Sequence, residues 1–197
     1  MKNSILVLTF AVLVLSVTPS AKSAVTIIDL QGDKDGFGVG CPIATGLNYT
    51  DYGLYWEDYR MTEDPDFTDN WYNGDKSWTH TYDLMGLAPL SASLELYIAG
   101  IADDPAWSAE VLVNGVSVGT IPADYSAHDL TRILTFNVPI GLITGSDGIT
   151  IGLNNDLDGY IIDYSQLTIQ TIPAPGAIAL CGIGTALIGW LRKRKTL

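Results

Sequence analysis

Cysteine, histidine and positive charge are the scarce features of this 197-residue chain, and each scarcity excludes a class of protein. The two cysteines are Cys41 and Cys181, and Cys181 lies in an apolar run near the C-terminus. The region between the chain ends therefore holds one thiol and no internal disulfide, so its stability must come from a core or a bound metal. The two histidines, His80 and His128, stand apart from cysteines and clustered carboxylates at metal-ligand spacing. Neither Gly-x-Ser-x-Gly nor His-Glu-x-x-His occurs, and His80, within Trp78-Thr79-His80-Thr81-Tyr82, reads as a strand residue. No catalytic residue is assigned, and the chain is read as a non-enzyme. The alternative is a secreted carbohydrate-active enzyme of glycoside-hydrolase type, in which two of the abundant carboxylates act as a pair.

Six of the ten basic residues sit at the ends: Lys2, Lys22, Arg192, Lys193, Arg194 and Lys195. Lys34, Arg60, Lys76 and Arg132 remain against all 22 acidic residues, which fall between Asp29 and Asp163, a net charge of −18 for the intervening region. Such a domain repels nucleic acid and anionic headgroups and favours cations.

Both ends read as targeting segments. Met1-Lys2-Asn3, the apolar run Ile5 to Val17 and the small residues Ala21 and Ser23 form a secretory signal peptide over 1–23, with cleavage expected after Ser23. At the other end, 172–197, Pro173-Ala174-Pro175 leads into an apolar segment, 176–191, closed by Arg192-Lys193-Arg194-Lys195. A basic cluster after an apolar helix stays on the cytoplasmic side and acts as a membrane stop. Sixteen residues make a helix of roughly 24 Å, short of a bilayer core of roughly 30 Å, and Gly182, Gly184 and Gly189 weaken it further. That physics is compatible with insertion followed by processing, and equally with a short tilted helix that is retained.

The three-part tail resembles the PEP-CTERM sorting signal of Gram-negative bacteria that make exopolysaccharide. Ala174 stands where that motif usually has Glu, and Ile172 where it usually has Val. The resemblance implies an exosortase-type processing enzyme as partner and cleavage near the Pro-x-Pro motif. It also implies passage through the inner membrane on the C-terminal helix, then display at the cell surface or in the extracellular matrix.

The remaining stretch, 24–171, is long enough for one core and one domain. Strand patterns run over 25–30, 93–99, 133–138, 149–153 and 160–169, and 110–113 and 116–121 flank the turn pair Asn114-Gly115. No amphipathic helical period is sustained for three turns. The expected fold is all-β, an antiparallel β-sandwich of jelly-roll type, between a signal peptide and one short C-terminal transmembrane helix. The run Gly159-Tyr160-Ile161-Ile162-Asp163-Tyr164 to Ile169 resembles the closing strand of galactose-binding-like and carbohydrate-binding jelly rolls, which implies that fold and carries no binding residue across.

Two constellations could carry chemistry. Asp33-Lys34-Asp35-Gly36-Phe37 and Asp156-Leu157-Asp158-Gly159-Tyr160 share the pattern Asp-x-Asp-Gly-aromatic, with paired carboxylates on a turn that glycine lets bend sharply, as at the start of oxygen-rich calcium loops. In a jelly roll the first and last strands are commonly neighbours, so Asp33, Asp35, Asp156 and Asp158 are the candidate ligands of one structural Ca²⁺. The competing reading is that they are ordinary turn residues. Ten aromatic residues crowd between Tyr49 and Tyr82, mostly on an irregular segment, 42–78. They either staple that segment to the sandwich as a second apolar layer or present rings for stacking on sugars, with Trp56, Trp71 and Trp107 as candidates for binding an extracellular polysaccharide.

Overall fold

The computed structural model describes residues 24–53, 69, 71–101, 106–123, 130–154, 159–173, 182 and 184–188. Two compact units divide the chain, one of Val25–Ala174 and one of Met1–Ala24 with Pro175–Leu197. In the latter, Gly182 and residues 184–188 are helical and exposed. Among the described residues no helix is long and apolar enough to cross a membrane. The signal peptide and most of the expected span 176–191 lie outside the described residues.

Val25–Ala174 is an antiparallel β-sandwich. Its strands are β1 (Val25–Gly32), β2 (Trp71–Tyr72), β3 (Lys76–Thr81), β4 (Leu87–Ala99), β5 (Ser108–Val113), β6 (Val116–Pro122), β7 (Arg132–Val138), β8 (Ser146–Leu153) and β9 (Tyr160–Pro173). One sheet has the order β1-β9-β4-β7, with β2 also on β9, and the other the order β3-β8-β5-β6. First and last strands are thus neighbours, paired from Val25 with Thr171 to Gly32 with Tyr164.

The period-2 pattern decides which residues face inward. Leu94, Leu96 and Ile98 of β4 meet Val111 and Val113 of β5, Ile149 and Ile151 of β8, and Leu167 and Ile169 of β9 in the main core. Asn114 and Gly115 take the positive φ values, 51° and 76°, that join β5 and β6 tightly. β4 begins at Leu87, six residues before its alternating part, and its pairing with β9 slips between Pro89 and Ser91, where proline has no N–H for the ladder. β9 extends through Pro173, so the first proline of the tail motif pairs with Leu87 as the last residue of the sheet.

The opposite face of the five-stranded sheet carries a second apolar layer. Phe37, Cys41 and Tyr49, all at most 2% exposed, cover Tyr97, Ala99, Ile161 and Tyr164. Each aromatic ring buried there removes about 150–250 Å² from water, on the order of 4–6 kcal/mol before ordering entropy. For Tyr49, stapling the segment to the sandwich is therefore its role.

Candidate metal centre

The site begins with a gap in strand pairing. On one edge of β9, β1 ends opposite Tyr164 and β2 pairs only with Ile161 and Tyr160, leaving Ile162 and Asp163 between them. On the other edge β4 pairs Tyr97 with Tyr164 and Ile98 with Ile162, so Asp163 is the extra residue of a β-bulge. The bulge re-phases the strand. Ile162 faces the main core, while Tyr164 joins the second layer.

Asp163 is fully buried. Its Oδ1 accepts from the backbone N–H groups of Gly36 at 3.0 Å and Phe37 at 2.9 Å. Its Oδ2 is buried and accepts no hydrogen bond. The donors come from the turn after β1, where Gly36, Phe37 and Gly38 all have positive φ, at 80°, 60° and 69°. A Cβ on Gly36 would lie 2.0 Å from the Cys41 carbonyl oxygen, so only glycine fits there. Asp35 caps the turn by accepting from the Gly38 N–H at 2.8 Å.

Asp69 closes the gap from the other side. It is 4% exposed, sits at φ 59°, and donates its N–H to the Ile162 carbonyl at 2.8 Å. Asp33, Asp35, Asp69 and Asp163 each then offer a carboxylate oxygen, all within 4.8 Å of one another. At an effective dielectric constant of 20, two unit charges at that separation repel by about 3 kcal/mol. Lys34 does not relieve this repulsion. Its Nζ donates to Gln166 Oε1 at 2.7 Å and lies 4.1 Å from the centre of the Tyr164 ring.

Burial pushes Asp163 up from 3.8 to about 6; the Phe37 and Gly36 N–H groups pull it down, and the neighbouring Asp35 carboxylate adds to the rise. A buried carboxylate with one oxygen satisfied and one orphaned, facing three more carboxylates, fits a hard cation with oxygen ligands. Calcium, at roughly 2.3–2.6 Å from its ligands, places opposite oxygens roughly 5 Å apart, whereas magnesium requires roughly 4.2 Å and near-ideal octahedral geometry. The absence of thiolate and imidazole from this donor set disfavours zinc.

The structure brings Asp33, exposed, and Asp35, half-buried, together and joins them to Asp69 and Asp163. Asp156 and Asp158 lie outside the described residues, as do Trp56, Ala174, Pro175, Arg192, Lys193, Arg194 and Lys195. Trp107 is 2% exposed in the main core, beneath β5, so it is no exposed stacking ring. Trp71 is half-buried, and its indole occupies space that Gly100 and Gly159 leave open. A Cβ would stand 2.7 Å from Cζ3 at the first and 2.9 Å from Cε2 at the second.

Asp163 had a signal in the sequence: one acid inside Tyr160-Ile161-Ile162-Asp163-Tyr164, a run otherwise fit only for burial. Asp69 had none, being one of several aspartates in an acidic stretch of sequence.

A second polar constellation joins the two sheets. His80 Nδ1 lies 2.7 Å from Asp29 Oδ2, and Nε2 lies 2.9 Å from Ser165 Oγ. A carboxylate only accepts, so Nδ1 carries the proton. Burial holds the imidazole below 6.5 in spite of Asp29, so Nε2 is left to accept from the Ser165 hydroxyl. The connectivity is that of a Ser-His-Asp triad, but Ser165 and His80 are 0% exposed. With no path for a substrate carbonyl to Oγ in this arrangement, the three residues act as a polar clamp between β3, β1 and β9.

No protein-family model and no curated protein sequence matches the chain. Among solved structures, dimeric latent PorU from Porphyromonas gingivalis aligns over 77% of this chain at 9% identity and a TM-score of 0.47. This chain spans 13% of the length of that one. A β-porphyranase of glycoside hydrolase family 86 from the human gut bacterium Bacteroides plebeius aligns over 76% of this chain and 21% of its own, at 14% identity and a TM-score of 0.41. A family 36 carbohydrate-binding module in complex with calcium and xylotriose aligns over 47% of this chain and 71% of its own, at 13% identity and a TM-score of 0.33.

Proposed function

We propose that this chain is an exported protein of the cell surface or extracellular matrix whose β-sandwich holds calcium and serves as a binding or structural module for polysaccharide. Asp163 carries the reading: a fully buried carboxylate whose Oδ2 lacks a hydrogen bond, within a cluster of four carboxylates. The protein's residues supply negative charge and fixed positions, and calcium would supply the compensating charge. Asp163 and Asp69 would hold the ion from the buried side, Asp35 and Asp33 from the side open to solvent. Trp71, two residues from Asp69 and paired with Ile161 beside the site, offers a half-buried ring for a sugar face. The Pro173-Ala174-Pro175 tail and its basic end support sorting by a PEP-CTERM-like signal through an exosortase-type enzyme, with passage through the inner membrane.

Calorimetry with calcium on EDTA-treated protein tests the metal, with saturable binding expected. Glycan-array binding lost on Trp71→Ala, without sugar hydrolysis, tests the module. Reducing-sugar release lost on changing one carboxylate would favour a carbohydrate-active enzyme instead. For the sorting reading, mass spectrometry of mature protein from the cell surface should find a C-terminus near Pro175, and an intact Arg192 to Leu197 would overturn processing.

A further inference from the structure

The calcium site and the Trp71 ring share one short piece of chain. Asp69 is the only one of the four carboxylates on the segment that leads into β2, and β2 pairs with β9 through Trp71 with Ile161 and Tyr72 with Tyr160. The Asp69 N–H to the Ile162 carbonyl is one further backbone link to that strand. Asp69 makes this link from a left-handed conformation that non-glycine residues adopt reluctantly. On the far side, Asn73 and Gly74 form a bend before β3, and β3 is anchored by six pairs to β8. Nothing lies within 4 Å of a Cβ built on Gly74, so the bend faces open space. The ring itself is seated by fit, in the space left by Gly100 and Gly159.

These placements give the cation leverage over the ring. With an ion present, Asp69 is pulled toward Asp163 and β2 lies against β9. With the ion removed, Asp69 faces three other carboxylates, and their repulsion acts on the segment that carries Trp71. We propose that calcium at Asp33, Asp35, Asp69 and Asp163 docks β2 onto β9 and thereby seats the Trp71 ring, making any ligand contact through Trp71 dependent on calcium. This rests on the reading of the cluster as a calcium site.

The test uses the full chain labelled with 5-fluorotryptophan, with the Trp71 ¹⁹F resonance assigned by Trp71→Phe. Calcium is titrated into EDTA-treated protein while calorimetry follows binding. The expected result is a Trp71 resonance that moves with the same midpoint as the heat, while the Trp107 resonance, in the core away from the site, stays in place. In Asp69→Asn the midpoints of heat and resonance shift together to at least tenfold higher calcium; Asp33→Asn, on the exposed turn, provides the same measurement should the first variant fail to fold. Calcium binding with a stationary Trp71 resonance overturns the coupling and leaves the calcium site standing. Absence of both heat and thermal stabilisation overturns the calcium reading, and the coupling with it.

Discussion

Replacing Asp163 by asparagine should change the stability of this protein in opposite directions with and without calcium. Asparagine keeps the shape and keeps an oxygen for the Gly36 and Phe37 N–H groups, and it puts an amide donor where Oδ2 has no hydrogen bond. Without metal the wild-type carboxylate is a liability. Its folded-state value of about 6 against an ordinary 3.8 corresponds to about 3 kcal/mol against the ionised form above pH 6. The sign follows from proton uptake: between pH 3.8 and 6 the folded state binds a proton that the unfolded chain does not, so the Asp163 contribution to metal-free stability is greatest below pH 3.8 and is lost as pH rises through 6. At pH 8 in EDTA, Asp163→Asn should recover most of that cost, and for a domain of this size about 3 kcal/mol corresponds to roughly 6–12 °C in Tm. With calcium at about 100 times its Kd, wild type gains about 2.7 kcal/mol by linkage and the variant little. Differential scanning calorimetry in EDTA and in calcium, at pH 8 and pH 5, reads all four cells of this comparison. A variant less stable than wild type in EDTA at pH 8, together with a wild-type Tm that calcium leaves unchanged, would refute the reasoning.

Three further outcomes follow from the packing. Gly36→Ala must place a Cβ 2.0 Å from the Cys41 carbonyl oxygen at φ 80°, so it should cost at least about 1–3 kcal/mol from strain alone and weaken calcium binding as well, whereas Gly46→Ala, at φ 84° with open space around it, should cost only the backbone penalty. For His80, burial holds the folded-state value below 6.5, so its contribution is fully present above pH 6.5 and is lost as pH falls through the folded value; His80→Gln should flatten that acid limb in a pH series of urea melts. Because Ser165 and His80 are sealed, turnover of p-nitrophenyl acetate should match that of Ser165→Ala, and a rate that this substitution abolishes would show the clamp to be accessible.

The sandwich was legible because period-2 alternation is written into single strands. Leu94, Leu96 and Ile98 could be assigned to one face, and Asn114-Gly115 to a tight turn, without knowing any partner strand. The carboxylate cluster was half legible for the opposite reason. Asp33 and Asp35 announce a turn by spacing, but their partners are set by pairings that no local pattern records. Asp163 joins the carboxylate cluster because β1 stops opposite Tyr164 and β4 skips a residue there, and Asp69 because its N–H finds the Ile162 carbonyl. The clamp was hidden in the same way, since Asp29, His80 and Ser165 lie on three strands and meet only when the sheets stack. Trp107 illustrates the converse. A tryptophan after an acidic, proline-containing stretch reads as exposed, yet Trp107 is one of the side chains that fill the main core.

On the calcium reading, the position of the carboxylate cluster would also let a domain with one buried cysteine do without a disulfide. Asp33, Asp69 and Asp163 belong to three segments, and an ion that binds all of them closes two loops, of about 36 and about 94 residues. In the chain-entropy treatment of cross-links, loops of those lengths restrict the unfolded state by about 4 and about 5 kcal/mol. A covalent bridge would deliver such stabilisation permanently, whereas an ion delivers it only as far as its concentration exceeds Kd. The same four carboxylates that make the bridge possible also oppose folding when it is empty, because Asp163 Oδ2 has no protein donor to replace the ion. On the calcium reading proposed above, stability would follow the medium: weak where calcium is scarce, and strong where calcium exceeds a Kd that for extracellular calcium modules is on the order of 10⁻⁴–10⁻³ M.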